Sequence, residues 1–393
     1  MSPSDDRVSL SEAQVMFFRD RRGHLAGPGA EDATAAARAI LGAQAQQEWP
    51  GLFALSLRTR GRPDLETLKA SLVEPEFRCL VRTWGQRDTL HIFDPEDWPR
   101  VVAARAEWPQ SGRRGAMPSE PDVELTRKLF EQASGALLRR DLFDRIPKRF
   151  VDEVAAHPGV AATGGSAVRF AATRMIWRLA LAGDICFAEK HGAEQSYAHR
   201  RLWFPDLVWD DAGEPAAVAT ELARRYLGVH GPATPVDLAH FFGANVSSAR
   251  TWLERLEPEL APVACGPRKE LLALRMDLEE LEESPPRSLS QWPVRLLPKW
   301  DTHLMRHADK SWLMPNEDER PLVWRKAADI SATVLARGRV VGTWTHKAGK
   351  KKVSISVRAL SGWRKSHLAG VKREAAALAD YLGVPDSDVS VAD

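Results

Sequence analysis

An α+β chain is predicted: three tandem units in which short helices precede a β-hairpin, then a smaller unit of antiparallel strands. Two observations predict it. Helix punctuation followed by a pair of β-forming runs recurs along the chain, and after Ser284-Pro285-Pro286 the pattern changes to period-two alternation. Short helices followed by a hairpin is the pattern of a winged helix. The expected units are residues 1–115, 116–210, 211–285 and 286–393.

The elements follow in order. Ser11-Glu12-Ala13-Gln14 fits a capping box and starts a helix running to about Arg22. Gly23, Gly27, Pro28 and Gly29 break it, and a second helix runs from about Asp32 to Leu41, with Gly42 as a C-terminal cap. A third helix is expected from Pro50 to about Arg58, and a fourth, opened by Pro63-Asp64, over Leu65 to Val73. Arg82 to Phe93, with β-formers on either side of a polar turn, reads as the first hairpin. In the second unit, helical material from Val123 to Val154 and a helix around Ala171 to Ala182 precede a hairpin turning at His191-Gly192. The third unit is the clearest. Thr234-Pro235 opens a short helix, Gly243-Ala244-Asn245 makes a turn, and Ser247 to Leu256 is the second helix of a helix-turn-helix. Its wing is Leu260 to Cys265 with Glu270 to Leu274. Beyond residue 286, Thr333-Val334-Leu335-Ala336, Arg339 to Trp344 and Val353 to Val357 are strand-like. A last helix spans about Gly370 to Leu382, before an acidic tail expected to be disordered.

Composition narrows the function classes. At 393 residues the chain exceeds one small core, and 44% hydrophobic with 27% charged content is ordinary for globular protein. No apolar run reaches the roughly 18 residues that span a bilayer, and Met1 to Asp6 is polar and acidic, unlike a signal peptide. Cys79, Cys186 and Cys265 lack metal-ligand spacing, which fits reduced thiols in the cytoplasm. A net charge of +2 does not demand a nucleic-acid partner. The basic residues nevertheless cluster: Arg58, Arg60 and Arg62; Arg139 to Arg149; and Lys347, Lys350, Lys351 and Lys352. Such clusters either form a positive face that follows phosphates or are solvated surface charge. There is no P-loop, dinucleotide fingerprint or zinc spacing, so neither metal nor cofactor is expected.

One short motif stands out. In Leu41-Gly42-Ala43-Gln44-Ala45-Gln46, two neutral amides flank a small residue just after a helix end. Residues i and i+2 share a face of an extended segment. Alone, the tripeptide is a weak signal and reads first as a polar helix terminus packing against Trp49.

Several landmarks occur in order: Leu41 to Gln46, Arg82-Thr83-Trp84 with Thr89-Leu90-His91, Gly231 to Asp237, Arg295 to Asp301 with Asp309-Lys310-Ser311-Trp312, and Arg339 to Trp344. This series resembles the AlkZ/YcaQ-type family of tandem winged-helix DNA glycosylases over nearly the whole chain. The resemblance implies three winged-helix units and a β-barrel-like unit arranged as a C-shaped body around duplex DNA, and excision of bulky or crosslinking alkyl adducts from purine nitrogens. It implies Gln44 and Gln46 as the catalytic pair. Gln rather than Asp at position 46 resembles the AlkZ-like branch, often linked to self-protection against DNA-alkylating natural products.

The chemistry is consistent with two amides. An N7- or N3-alkylated purine already carries positive charge and leaves as a neutral base, so no strong general acid is needed. A Gln amide accepts through its oxygen and donates through its nitrogen, and two can position a water near C1′. Gln is no general base at neutral pH. No lysine is marked as a Schiff-base nucleophile, so a monofunctional enzyme is expected. His303, Arg306, His307 and Lys310 are candidates to line the DNA channel, and Lys347, Lys350 and Lys351 to touch phosphates from a hairpin tip. Trp84 and His91 read as wing packing rather than catalysts. The expected partner is double-stranded DNA bound by a cytoplasmic, nucleoid-associated monomer. The competing class is a winged-helix transcriptional regulator, although Ser247, Ser248, Arg250 and Thr251 make a poor base reader.

Overall fold

In a computed structural model the helices and hairpins alternate along the chain, and residues 7–108, 116–161, 165–209 and 212–392 are described. Met1 to Asp6 and the expected unit boundaries at 115 and 210 lie outside the described residues.

Strand β1 (Val8–Ser9) leads into helix α1 (Glu12–Arg22). The capping box is present: the Gln14 amide N–H of the backbone donates to Ser11 Oγ at 3.3 Å, and Ser11 N–H donates to Gln14 Oε1 at 2.9 Å. Helix α2 (Ala33–Ala39) is capped by Asp32, which accepts from Ala35 N–H at 2.7 Å. Helix α3 (Glu48–Ser56) begins before Pro50 rather than after it. Proline fits the first turn, where its missing N–H has no intrahelical acceptor to lose. Helix α4 (Leu65–Val73) has the expected bounds.

Strands β2 (Ala43–Gln44), β3 (Val81–Trp84) and β4 (Leu90–Phe93) form a three-stranded sheet in the order β2-β4-β3. A second three-stranded sheet joins β5 (Leu137–Leu138) to the hairpin β6 (Ile185–His191) and β7 (Glu194–His199), beside the helix Ala167–Leu181. The helices Pro215–His230, Pro235–Phe242 and Val246–Arg255 precede the hairpin β8 (Leu260–Cys265) and β9 (Arg268–Leu274). β1 completes this third sheet, pairing parallel with β8 in the register Val8↔Val263 and Ser9↔Ala264. Such distant pairing leaves no local signal in the sequence.

The C-terminal sheet has five strands: β10 (Arg295–Leu297), β11 (Thr333–Ala336), β12 (Arg339–Ala348), β13 (Lys352–Ala359) and β14 (Asp386–Ala392). Two expectations are corrected here. The acidic tail is not disordered: it is β14, running parallel to β13 from Lys352↔Asp386 to Arg358↔Ala392. The sheet is therefore mixed rather than purely antiparallel. Seven consecutive ladder partners and a Lys352–Asp388 ion pair at 3.4 Å offset the tail's charge. The helix His367–Tyr381 carries the chain back across the sheet, as a parallel connection requires.

The cores cross the sequence. Ala36, Leu52, Phe53 and Leu72 from α2 to α4 pack with Val334, Ile355, Val371 and Tyr381. Phe18 and Val15 of α1 pack with Val263, Leu297 and Trp312. The N-terminal helices thus pack against the C-terminal half. Among the described residues no helix is long and apolar enough to cross a membrane.

Candidate active site

Gln44 ends the shortest strand of the first sheet. Leu41 and Gly42 both have positive φ (58° and 95°), which swings the chain out of α2 and into β2. A side chain at position 42 would also strike Phe93, whose ring lies 2.4 Å from the ideal Cβ position, so glycine fits both demands. Gln44 then pairs with His91, and Ala45 N–H donates to Leu90 O at 2.6 Å.

The two amides sit in different surroundings. Gln44 is 5% exposed, whereas Gln46 lies at the surface. Gln44 Oε1 accepts from Arg87 Nη2 at 2.9 Å, and Gln46 Oε1 accepts from the Leu90 backbone N–H at 3.0 Å. A guanidinium and a backbone N–H only donate, so both amide oxygens must face these partners. The nitrogen of each amide is then the end without a protein partner among the described residues.

Gln46 lines an open cleft of about 490 Å³ with Glu48, Trp49, Lys69, Arg82 and Lys190. Arg82 reaches Ala45 O at 3.1 Å and Glu48 Oε2 at 3.3 Å, and Lys190 from β6 lies 3.7 Å from the same carboxylate oxygen. The second hairpin thus reaches the cleft through Lys190. Glu48 is a carboxylate at this site that sequence reasoning passed over. Its only sequence signal was its place two residues after Gln46.

His91 is no base. Burial, then the charge of Arg87, holds its pKa down at about 3. Its Nδ1 lies 3.0 Å from Thr89 O, so the neutral ring carries its proton there. The ring stacks on Phe93, with centroids 5.4 Å apart. Trp84 packs on Phe187 of the second hairpin at 5.0 Å.

A model of the AlkZ-like DNA glycosylase family matches residues 37–381. The chain belongs to that family. It is 28% identical over 349 residues to an interstrand DNA cross-link repair glycosylase of Streptomyces sahachiroi, covering 86% of this chain and 88% of that protein. The fold is similar to the solved structure of the S. sahachiroi DNA glycosylase AlkZ, with a TM-score of 0.78 at 24% identity, covering 98% of this chain and all of that one. The chain is therefore a DNA glycosylase acting on DNA, not a regulator without catalysis.

The glycosylase's basic residues divide by burial. His303, Arg306 and His307 are 3%, 1% and 4% exposed, and leave no surface for a phosphate. They pack instead against α1 and the helices Pro215–His230 and Pro235–Phe242. His303 Nδ1 is 3.5 Å from Asp20 Oδ1, His307 Nδ1 is 3.5 Å from Asp237 Oδ1, and Arg306 O accepts from Tyr226 Oη at 2.7 Å. Both rings are held well below the usual histidine pKa, by burial first. Lys310 is half-buried, its Nζ donating to Leu304 O at 3.2 Å, and burial lowers its pKa to about 7. Their motif sits where charged and apolar residues alternate, a pattern equally natural to a surface, so sequence alone did not reveal their burial. Lys347, Lys350 and Lys351 are exposed at the tip of the β12–β13 hairpin.

Proposed function

We propose that this glycosylase is monofunctional and hydrolyses the N-glycosidic bond of cationic N7- or N3-alkylpurines, including bulky and interstrand-crosslink adducts. The observation that carries the reading is the Gln44-Ala45-Gln46 segment itself: two amides with fixed orientations, one beside an open cleft. The C1′–N bond breaks with its electron pair moving to the base, which leaves neutral. Water adds at C1′ and releases a proton to solvent. Each amide oxygen keeps a second lone pair and each nitrogen two N–H groups, enough to hold that water in a reactive geometry. Glu48, in the same cleft, is paired with Arg82 and Lys190 and holds these two cations beside Gln46, where they suit the phosphates flanking the lesion. An open cleft suits adducts too large for a closed pocket.

In this reading the three helix-plus-hairpin units are winged helices, and with the C-terminal sheet they divide near residues 115, 210 and 285. They form a C-shaped monomer around duplex DNA in the cytoplasm. Lys347, Lys350 and Lys351 are the exposed phosphate contacts. Gln at position 46 favours a role in self-resistance to a DNA-alkylating natural product.

The test is incubation with a duplex bearing one N7-alkylguanine, then alkali to reveal abasic sites. Gln44→Ala and Gln46→Ala are expected to lose excision while keeping duplex affinity. Uracil and 8-oxoguanine, which are neutral, are expected to remain. Full excision by the double variant, or comparable release of uracil, refutes the reading.

A further inference from the structure

Arg87 occupies an unusual turn. Arg87 and Asp88 both have positive φ, 56° and 53°. Two successive non-glycine residues in this region cost roughly 1–2 kcal/mol each. The turn persists because Arg105 clamps it from both sides, donating to Gly85 O at 2.9 Å and to Asp88 Oδ1 at 2.6 Å. Backbone strain held in this way is a pointer to function.

The conformation sends the Arg87 guanidinium between two units. Nη1 donates to the carbonyl of Phe241, in the last turn of the helix Pro235–Phe242, and Nη2 takes Gln44 Oε1 at 2.9 Å. The turn after that helix closes on Arg87 as well. Gly243 is left-handed (φ 74°), and a Cβ there would lie 2.9 Å from Arg87 Cα.

We infer that Arg87 is a positioning residue: anchored on the third unit, it takes the Gln44 amide oxygen and thereby presents the Gln44 amide N–H groups to the reaction. This deepens the glycosylase reading and rests on Gln44 being part of the active site. Removing the clamp frees the amide to rotate, so that either oxygen or nitrogen faces the substrate. A charged donor also polarises the amide and strengthens its N–H groups as donors.

The experiment is single-turnover excision of one bulky N7-alkylguanine from a duplex, with duplex affinity and melting temperature measured alongside. Arg87→Met is expected to slow excision by about 10²-fold, the scale of an ångström-sized misplacement, with duplex affinity unchanged. In a Gln44→Ala background the same substitution is expected to add nothing. Gln44→Glu keeps the contact to Arg87 but loses the N–H groups, and is expected to be as slow as Gln44→Ala while melting no lower than the wild type. Full activity of Gln44→Ala overturns the site itself. An inactive Gln44→Ala with a wild-type rate for Arg87→Met overturns only the role of Arg87. So do additive losses in the double variant, or loss of duplex affinity in step with rate. If Arg87→Met does not fold, Gln44→Glu decides: excision at the wild-type rate overturns the presentation of the N–H groups.

Discussion

The pair Arg58–Asp301 joins the segment after α3 to the C-terminal half, and breaking it gives a quantitative test of how the two halves of the chain are held together. Arg58 donates twice to Asp301, Nη1 to Oδ2 at 2.9 Å and Nη2 to Oδ1 at 2.7 Å, and the two side chains are 1% and 0% exposed. At an effective dielectric of about 20, unit charges this close attract by about 6 kcal/mol. Desolvation offsets much of that, so the pair adds little net stability compared with an apolar replacement. Removing one partner is another matter, because it leaves a buried charge and costs about 3–5 kcal/mol. Asp301→Asn is the sharpest perturbation. Asn keeps the bond that His303 N–H donates to Asp301 Oδ1 at 2.9 Å, but turns an N–H donor or a weaker acceptor toward the guanidinium. We expect Asp301→Asn to lose about 3 kcal/mol in urea unfolding followed by tryptophan fluorescence, and Arg58→Met a similar amount. The double variant should fall short of the sum by about 2 kcal/mol, because no charge is then left unpaired. A loss below about 1 kcal/mol for Asp301→Asn, or additivity within about 0.5 kcal/mol, refutes the reasoning. The neighbouring Thr302 Oγ1 donates to Gly42 O at 3.1 Å, so excision by Asp301→Asn should also slow well below its melting temperature.

Three further outcomes are expected. His91 and His307 are held at about 3 by burial first, and His230 and His303 well below their usual range for the same reason. The unfolded chain takes up protons below about pH 6.5 that the native state refuses, so stability present above that pH is lost as it falls toward the folded values. Asp20, raised to about 6 by burial, opposes this with a contribution lost as pH rises through about 6, and Asp94 and Asp277, also raised by burial, act in the same sense, but His24, His199, His240, His346 and His367 are lowered by burial too and add to the loss at low pH. The urea midpoint should therefore drop steadily from pH 7 to 5, with uptake of about two or more protons on unfolding; a flat profile refutes it. Lys347, Lys350 and Lys351 changed together to Ala should lower the slope of log affinity against log salt by up to about 0.9 for each phosphate no longer neutralised, measured by fluorescence anisotropy on duplex DNA. An unchanged slope removes them from the interface. Gly243→Ala, at a residue that does not line the cleft, should destabilise by roughly 1–2 kcal/mol and also slow excision, because its Cβ pushes on Arg87. Loss of stability with an unaltered excision rate counts against that coupling.

Local signals carried most of the elements. Capping residues bounded α1 and α2, the Thr234-Pro235 start and Gly243 stop bounded the helix between them, and alternation marked β12 and β13. Each signal acts within a few residues of the element it sets, so it is written in the chain. Several of the elements missed are stabilised from a distance: β1 on β8, β2 on β4, β5 (inside the run read as helical from Val123 to Val154) on β7, β10 on β11, and the acidic β14 on β13. Their residues carry weak strand propensity, and ladder partners far along the chain supply what propensity does not.

The candidate site divides in the same way. The sequence by itself determined the family, the amide pair and its neutrality, because those are matters of residue type and order. Tertiary structure decided which end of each amide is free, since that depends on Arg87 and Leu90 N–H, both more than 40 residues away along the chain. It also decided that His303, Arg306 and His307 belong to the interior. Charge identity is local, but burial is the sum of everything that packs around a side chain, and only the folded chain performs that sum.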